Sequence, residues 1–167
     1  MKTFSLAAAI AGLAAVAQAA VPGFDISGWQ SSTDFAKAYA AGDRFVYIKA
    51  TEGTTFKSSM FNTQYTGATN AGFIRGAYHF AQPAASSGAA QATYFAANGG
   101  GWSNDGITLP GALDIEWNPS GDACFGLSAT AMVNWIEDFV TTYHSKTGRW
   151  PVIYTATSRF FHSAIVI

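Results

Sequence analysis

Short runs of aromatic and β-branched residues alternate with helix-like segments along almost the whole chain, and this rhythm limits the possible folds more than any other feature. Runs at 24–26, 45–50, 73–80, 110–117 and 150–155 read as strands, since such side chains fit a pleated, half-buried surface. Segments 34–41, 60–71, 86–97 and 128–146 between them read as helices. Asp34 stands at the start of the first and Gly42 at its stop; Gly72 closes the second. Ser86 or Ser87 is placed to cap the third, which the run Asn98-Gly99-Gly100-Gly101 ends. The fourth is the clearest: Met132, Trp135, Ile136, Phe139, Val140 and Tyr143 recur at helical spacing. Strands alternating with helices predict an α/β fold of parallel βα units, either an open doubly wound sheet or most of a barrel. A closed (β/α)₈ barrel takes about 250 residues, and this chain has 167. No G-x-G-x-x-G or G-x-x-x-x-G-K-[ST] follows a strand, so the nucleotide-binding version loses its support.

Composition removes further classes. The chain is 49% hydrophobic and 11% charged, the reverse of a disordered segment. Ten acids face nine bases and no run of Lys or Arg occurs, which argues against nucleic acid and against an electrostatic membrane patch as partners. Lys2, the apolar stretch 4–16 and the A-x-A site Ala17-Gln18-Ala19 predict a secretory signal peptide over 1–19 and an extracellular product. The apolar stretch is too short for a membrane span, which needs ~20 residues. Export implies an oxidising compartment, yet Cys124 stands alone: a free thiol, a bond to another chain, or a missing partner. One cysteine excludes a thiolate zinc site, and His79, His144 and His162 lack the H-E-x-x-H spacing, so no metal is expected.

Carboxylates at strand ends carry the chemistry. Asp34, Asp43, Asp105, Asp122, Glu137 and Asp138 fall in predicted loops or on helix surfaces and read as solvated charge. Asp25, in Phe24-Asp25-Ile26, and Asp114 and Glu116, in Leu113-Asp114-Ile115-Glu116-Trp117, are instead flanked by apolar residues at the C-terminal ends of predicted strands. Residues two apart on a strand share a face, so Asp114 and Glu116 project together about two rises of ~3.3 Å apart. Two such carboxyls in a partly dry site do not both ionise cheaply; one pKa rises and a proton is retained. Glycoside hydrolysis needs that arrangement, an acid for the leaving oxygen and an anion for the cationic transition state. Trp29, Tyr78, Trp117 and Tyr154 crowd the same strand ends, where rings would pack on sugar C–H faces. His79 neighbours the proposed mouth, with a structural role the competing reading. Tyr47, Phe73, Phe139 and Phe160 are assigned to the core or to no role, and Lys49 and Glu52 to pairing with each other or a neighbour.

At these residues a family becomes visible. Phe24-Asp25-Ile26-Ser27-Gly28-Trp29-Gln30, Tyr47-Ile48-Lys49-Ala50-Thr51-Glu52-Gly53, Gly76-Ala77-Tyr78-His79-Phe80 and Leu113-Asp114-Ile115-Glu116 resemble glycoside hydrolase family 25, the secreted N-acetylmuramidases, in its fungal branch. The resemblance runs from about Val21 to Thr155. It implies an irregular TIM-like β/α barrel, here with about five βα units and without its closing strands. It implies cleavage of the β-1,4 bond between N-acetylmuramic acid and N-acetylglucosamine of bacterial peptidoglycan, by a monomer with no cofactor. By position Glu116 matches the general acid/base, Asp114 the carboxylate that orients the substrate's acetamido group, and Asp25 a further acid of the site. Tyr78, His79, Tyr154, Trp29 and Trp117 match substrate-binding positions.

The segment 159–167 does not look like the family's continuation, and in the fungal branch a second cysteine would be expected just beyond the end of similarity. The expectation is therefore a catalytic domain over 20–167 that is C-terminally incomplete, with an open apolar sheet edge that invites aggregation. A chitinase-like glycosidase and a peptidoglycan-binding remnant without turnover are the competing functions.

Overall fold

The computed structural model describes residues 20–118 and 120–155. The segment 1–19, where a signal peptide is expected, and the segment 156–167, with Phe160 and His162, lie outside the described residues. The elements are β1 (Gly23–Ile26), α1 (Phe35–Ala41), β2 (Phe45–Glu52), β3 (Phe56–Lys57), α2 (Phe61–Asn70), β4 (Ile74–Phe80), α3 (Gly88–Ala97), β5 (Ala112–Asp114), α4 (Ala129–Thr147) and β6 (Val152–Tyr154). Asp34, Ser87 and Ser128 cap α1, α3 and α4 through side-chain oxygens that accept from the backbone three residues on.

Strands β1, β2, β4, β5 and β6 lie side by side in sequence order, each parallel to the next. A doubly wound sheet reverses its strand order at a switch point. This order never reverses, so the open doubly wound alternative falls and the sheet forms part of a TIM-like β/α barrel. One strand was not foreseen: β3, two residues long, folds back antiparallel on the end of β2. β5 is shorter than the expected 110–117. Its flanks are held by other bonds: Tyr47 Oη donates to Pro110 O, Gly111 N donates to Tyr143 Oη, and Ile115 N donates to Tyr154 O.

The core lies between the helices and one face of the sheet. Val46, Ile48, Ala77 and Leu113 from the strands, with Ile115 just past β5, meet Phe61, Phe95, Met132, Phe139 and Tyr143 from the helices. All the periodic positions of α4 but Val140 are buried, and Val140 packs against the core edge. Helices α3 and α4 approach so closely that a Cβ on Gly88 would stand 2.3 Å from the Trp135 carbonyl oxygen.

Candidate active site

The alternation of a strand sends every second side chain away from the helices. On this sheet that places Asp25, Tyr47, Lys49, Tyr78, Phe80, Asp114 and Tyr154 on the concave face. Register aligns them in rows across the strands. Asp25 pairs with Tyr47 and Tyr47 with Gly76; Lys49 pairs with Tyr78; Phe80 pairs with Asp114 and Asp114 with Tyr154. Gly76 leaves the space that the Tyr47 ring fills, since a Cβ there would lie 2.5 Å from that ring. Past β5, Ile115 is fully buried in the core while Glu116 lines the same hollow as Asp114. The result is a hollow of about 320 Å³ whose lining includes Asp25, Tyr47, Tyr78, Asp114, Glu116 and Tyr154.

Burial and the neighbouring Glu116 charge push the Asp114 carboxyl up to about 8, and a hydrogen bond with Glu116 adds to the shift; Lys49 opposes it. Asp114 Oδ1 is buried without a hydrogen-bond partner. Burial raises the Tyr78 phenol, with the charges of Asp114 and Asp25 adding to it. The Tyr154 phenol is raised chiefly by Glu116. Both phenols therefore stay protonated donors beside the acids. Burial pushes Tyr47 up to about 12.

The structure brings Asp25, Asp114, Glu116, Tyr78 and Tyr154 together in one hollow and leaves three other expected residues outside its lining. Trp29 is 93% exposed and lines a neighbouring shallow depression with Gln30 and Thr33. Its loop is pinned from below, because Gln64 Nε2 donates to the carbonyls of Ser27 and Gln30. Trp117 is 52% exposed and follows Glu116 on the opposite parity. His79 is a correction. It is fully buried on the helix side, with Nδ1 at 2.8 Å from Thr51 Oγ1 and Nε2 at 2.9 Å from Gln91 Oε1. Adjacent strand residues face opposite ways, so His79 and Tyr78 cannot both meet a substrate in the hollow. Burial lowers the His79 imidazole to about 4, leaving it neutral.

Tyr47 is corrected in the other sense: placed in the core or in no role, it lines the hollow. Its parity with Lys49 was the available signal. Lys49 and Glu52 pair with each other at 2.6 Å. Among the described residues no group of three or more His, Cys, Asp or Glu is arranged to hold a metal ion. None of their helices is long and apolar enough to cross a membrane.

A carboxyl pair with one raised pKa, a third acid and phenol donors at the C-terminal ends of parallel β/α-barrel strands are the groups that glycoside hydrolysis calls for. Comparison with known proteins gives the family. The profile of glycosyl hydrolases family 25 matches residues 24–166, and the chain belongs to that family. The match takes in most of the segment 159–167 that the sequence reading set apart. The chain is 60% identical over 157 residues to the N,O-diacetylmuramidase of Arthroderma benhamiae, covering 89% of this chain and 66% of that protein. Its fold is similar to the muramidase of Acremonium alcalophilum, with a TM-score of 0.84 at 78% identity over 86% of this chain and 69% of the other. A family GH25 lysozyme from Aspergillus fumigatus gives a TM-score of 0.78 at 60% identity, covering 80% of this chain and 64% of that one. The chain thus spans about two thirds of the length of these relatives.

Proposed function

We propose that this chain is a secreted, monomeric lysozyme that hydrolyses the β-1,4 bond between N-acetylmuramic acid and N-acetylglucosamine in bacterial peptidoglycan. Its membership of the family and its identity to muramidases support the bond; the leader-like start at 1–19 supports export. The observation that carries the mechanism is the proton-retaining Asp114–Glu116 pair with a bare, buried Asp114 Oδ1.

An acetamido N–H of the substrate would donate to Oδ1. That bond favours ionised Asp114 and moves the shared proton to Glu116. Glu116 then gives it to the glycosidic oxygen. The anomeric C–O bond breaks as the acetamido oxygen, oriented by Asp114, bonds to the anomeric carbon, one of the substrate-assisted exceptions to the two-carboxylate scheme. Glu116, now a carboxylate, takes a proton from the water that opens the cyclic intermediate. Asp25 adds negative charge facing the cationic transition state. Tyr78 and Tyr154 donate to sugar oxygens, and Trp29 and Trp117 extend the sugar path along the rim.

Turbidity loss of bacterial walls and release of reducing ends test this reading. Glu116→Gln is expected to abolish both while wall binding stays nearly intact. Full lysis by Glu116→Gln would overturn the assignment, and release of chitin oligomers without wall lysis would favour a chitinase-like glycosidase. The competing reading is a binding role without turnover. Wall pull-down by the unaltered chain with no reducing ends released would establish that role.

A further inference from the structure

We propose that the Lys49–Glu52 pair is a charge-setting device for the acid site: Lys49 supplies a cation beside Asp114, and Glu52, held by Gln82, keeps that ammonium from closing on the carboxyl. The proposal rests on the lysozyme reading for its purpose, but its geometry is independent of substrate.

A register shift between Lys49 and Thr51 interrupts the pairing of β2 with β4. Such a bulge re-aims side chains next to a site. Here it brings Glu52, opposite Phe80, onto the concave side with Lys49. Lys49 Nζ donates to Glu52 Oε2 at 2.6 Å and lies 4.7 Å from the centre of the Phe80 ring. Phe80 is the register partner of Asp114, so the ammonium is held one strand away from the acid pair. Glu52 is fixed in turn: Gln82 Nε2 donates to Glu52 Oε1 at 2.9 Å. The Gln82 backbone is clamped by Gln91, which accepts from its N–H and donates to its carbonyl. Gln91 also bonds the buried His79. The polar network under the sheet thereby anchors the ion pair above it, which gives His79 a place in the site without contact to substrate.

The groups that face Asp114 are Asp25 from β1, Lys49 from β2, Tyr78 from β4, Glu116 on its own segment and Tyr154 from β6. Lys49 is the cation among them. Without it three carboxyls would share the hollow with no counter-charge. With Lys49 free to pair with Asp114 directly, the retained proton would be lost at a lower pH. The Glu52 tether sets the balance between these limits.

Carboxyl titration by NMR on the full chain tests this without requiring turnover, with wall lysis against pH as the second readout. Lys49→Met is expected to raise the Asp114 midpoint by about one pH unit, the effect of losing a nearby opposite charge. Lys49→Arg is expected to restore it, and Glu52→Gln to lower it. An unmoved midpoint in Lys49→Met, or a raised one in Glu52→Gln, would overturn the proposal. Should Lys49→Met fail to fold, Glu52→Gln and Gln82→Ala carry the test; both are expected to lower the midpoint, and an unchanged value in both overturns the proposal. Shifts as expected in a chain that leaves walls intact would uphold the device and reject the lysozyme reading.

Discussion

Among the described residues, Asp114 carries the least ordinary electrostatics. Its carboxyl is pushed up to about 8, first by burial and then by the Glu116 charge. Below that pH the pair keeps a proton to donate; above it the proton is lost. Wall lysis is therefore expected to fall through an alkaline limb near pH 8, and a rate that stays level to pH 10 would contradict this source for the proton. Asp114→Asn removes the coupled acid and the negative charge that polarises the acetamido group, while keeping an oxygen that accepts, so a loss of about 10²-fold or more in kcat is expected, comparable to losing one electrostatic contact of the transition state. Trp29 makes a contrasting residue. At 93% exposure it gives the core nothing, so Trp29→Ala is expected to shift stability by no more than about 0.5 kcal/mol. Its wall affinity is expected to fall, read by co-sedimentation. Unchanged affinity would remove Trp29 from the sugar path.

Among the elements, the α3–α4 contact is the most demanding. Gly88 sits where a Cβ would run into the Trp135 carbonyl and the Phe139 amide, both backbone groups that cannot yield cheaply. Gly88→Ala is expected to part the helices and cost about 1–3 kcal/mol, as overpacking does; a melting temperature equal to that of the unaltered chain would show that the contact is looser. Asp138 strengthens the same junction by accepting from Ala89 N at 2.7 Å, a role its surface position on α4 did not disclose. The elements themselves were largely readable, because each helix carries its stop signals and period in sequence: Asp34 and Gly42 bound α1, and six apolar positions mark α4. β3 was not readable. Two exposed residues show no alternation, and they pair with Thr51 and Glu52 of β2 past the point where its pairing with β1 ends. The carboxyl trio was legible because Asp25, Asp114 and Glu116 sit at strand ends where charge is otherwise rare. His79 and Tyr47 were not legible, since adjacency to the mouth does not tell which face of a strand is concave, and that requires knowing on which side the helices pack. The long reach from Glu52 through Gln82 and Gln91 to His79 was illegible for a related reason: hydrogen bonds across 9 to 30 residues leave no local pattern.

At the scale of the whole molecule, the acid site and the buried histidine act on stability with opposite sign. His79 is neutral in the fold, with its imidazole lowered to about 4. Its contribution is complete above the ordinary histidine pKa of about 6.5 and disappears as pH falls toward 4, at about 1.4 kcal/mol per pH unit. Asp114 is raised to about 8. The fold therefore gains stability from its protonation as pH falls from 8 toward the ordinary carboxylate value of about 4, with a similar slope in the other direction. Between pH 4 and 6.5 the two slopes cancel, and the contribution of these groups is flat. From 6.5 to 8 His79 has no further effect, so Asp114 alone lowers stability, by about 2 kcal/mol. That corresponds to a drop of about 4–8 °C in melting temperature for a chain of this size. Asp114→Asn isolates the two terms, since asparagine does not titrate. The variant is expected to hold its melting temperature from pH 6.5 to 8 and to lose stability below 6.5, where the histidine penalty is no longer offset. Thermal melts of both proteins by circular dichroism across pH 4 to 9 measure this directly. Parallel curves for the two would mean that the carboxyl in the hollow and the imidazole under the sheet do not set the pH response of the fold.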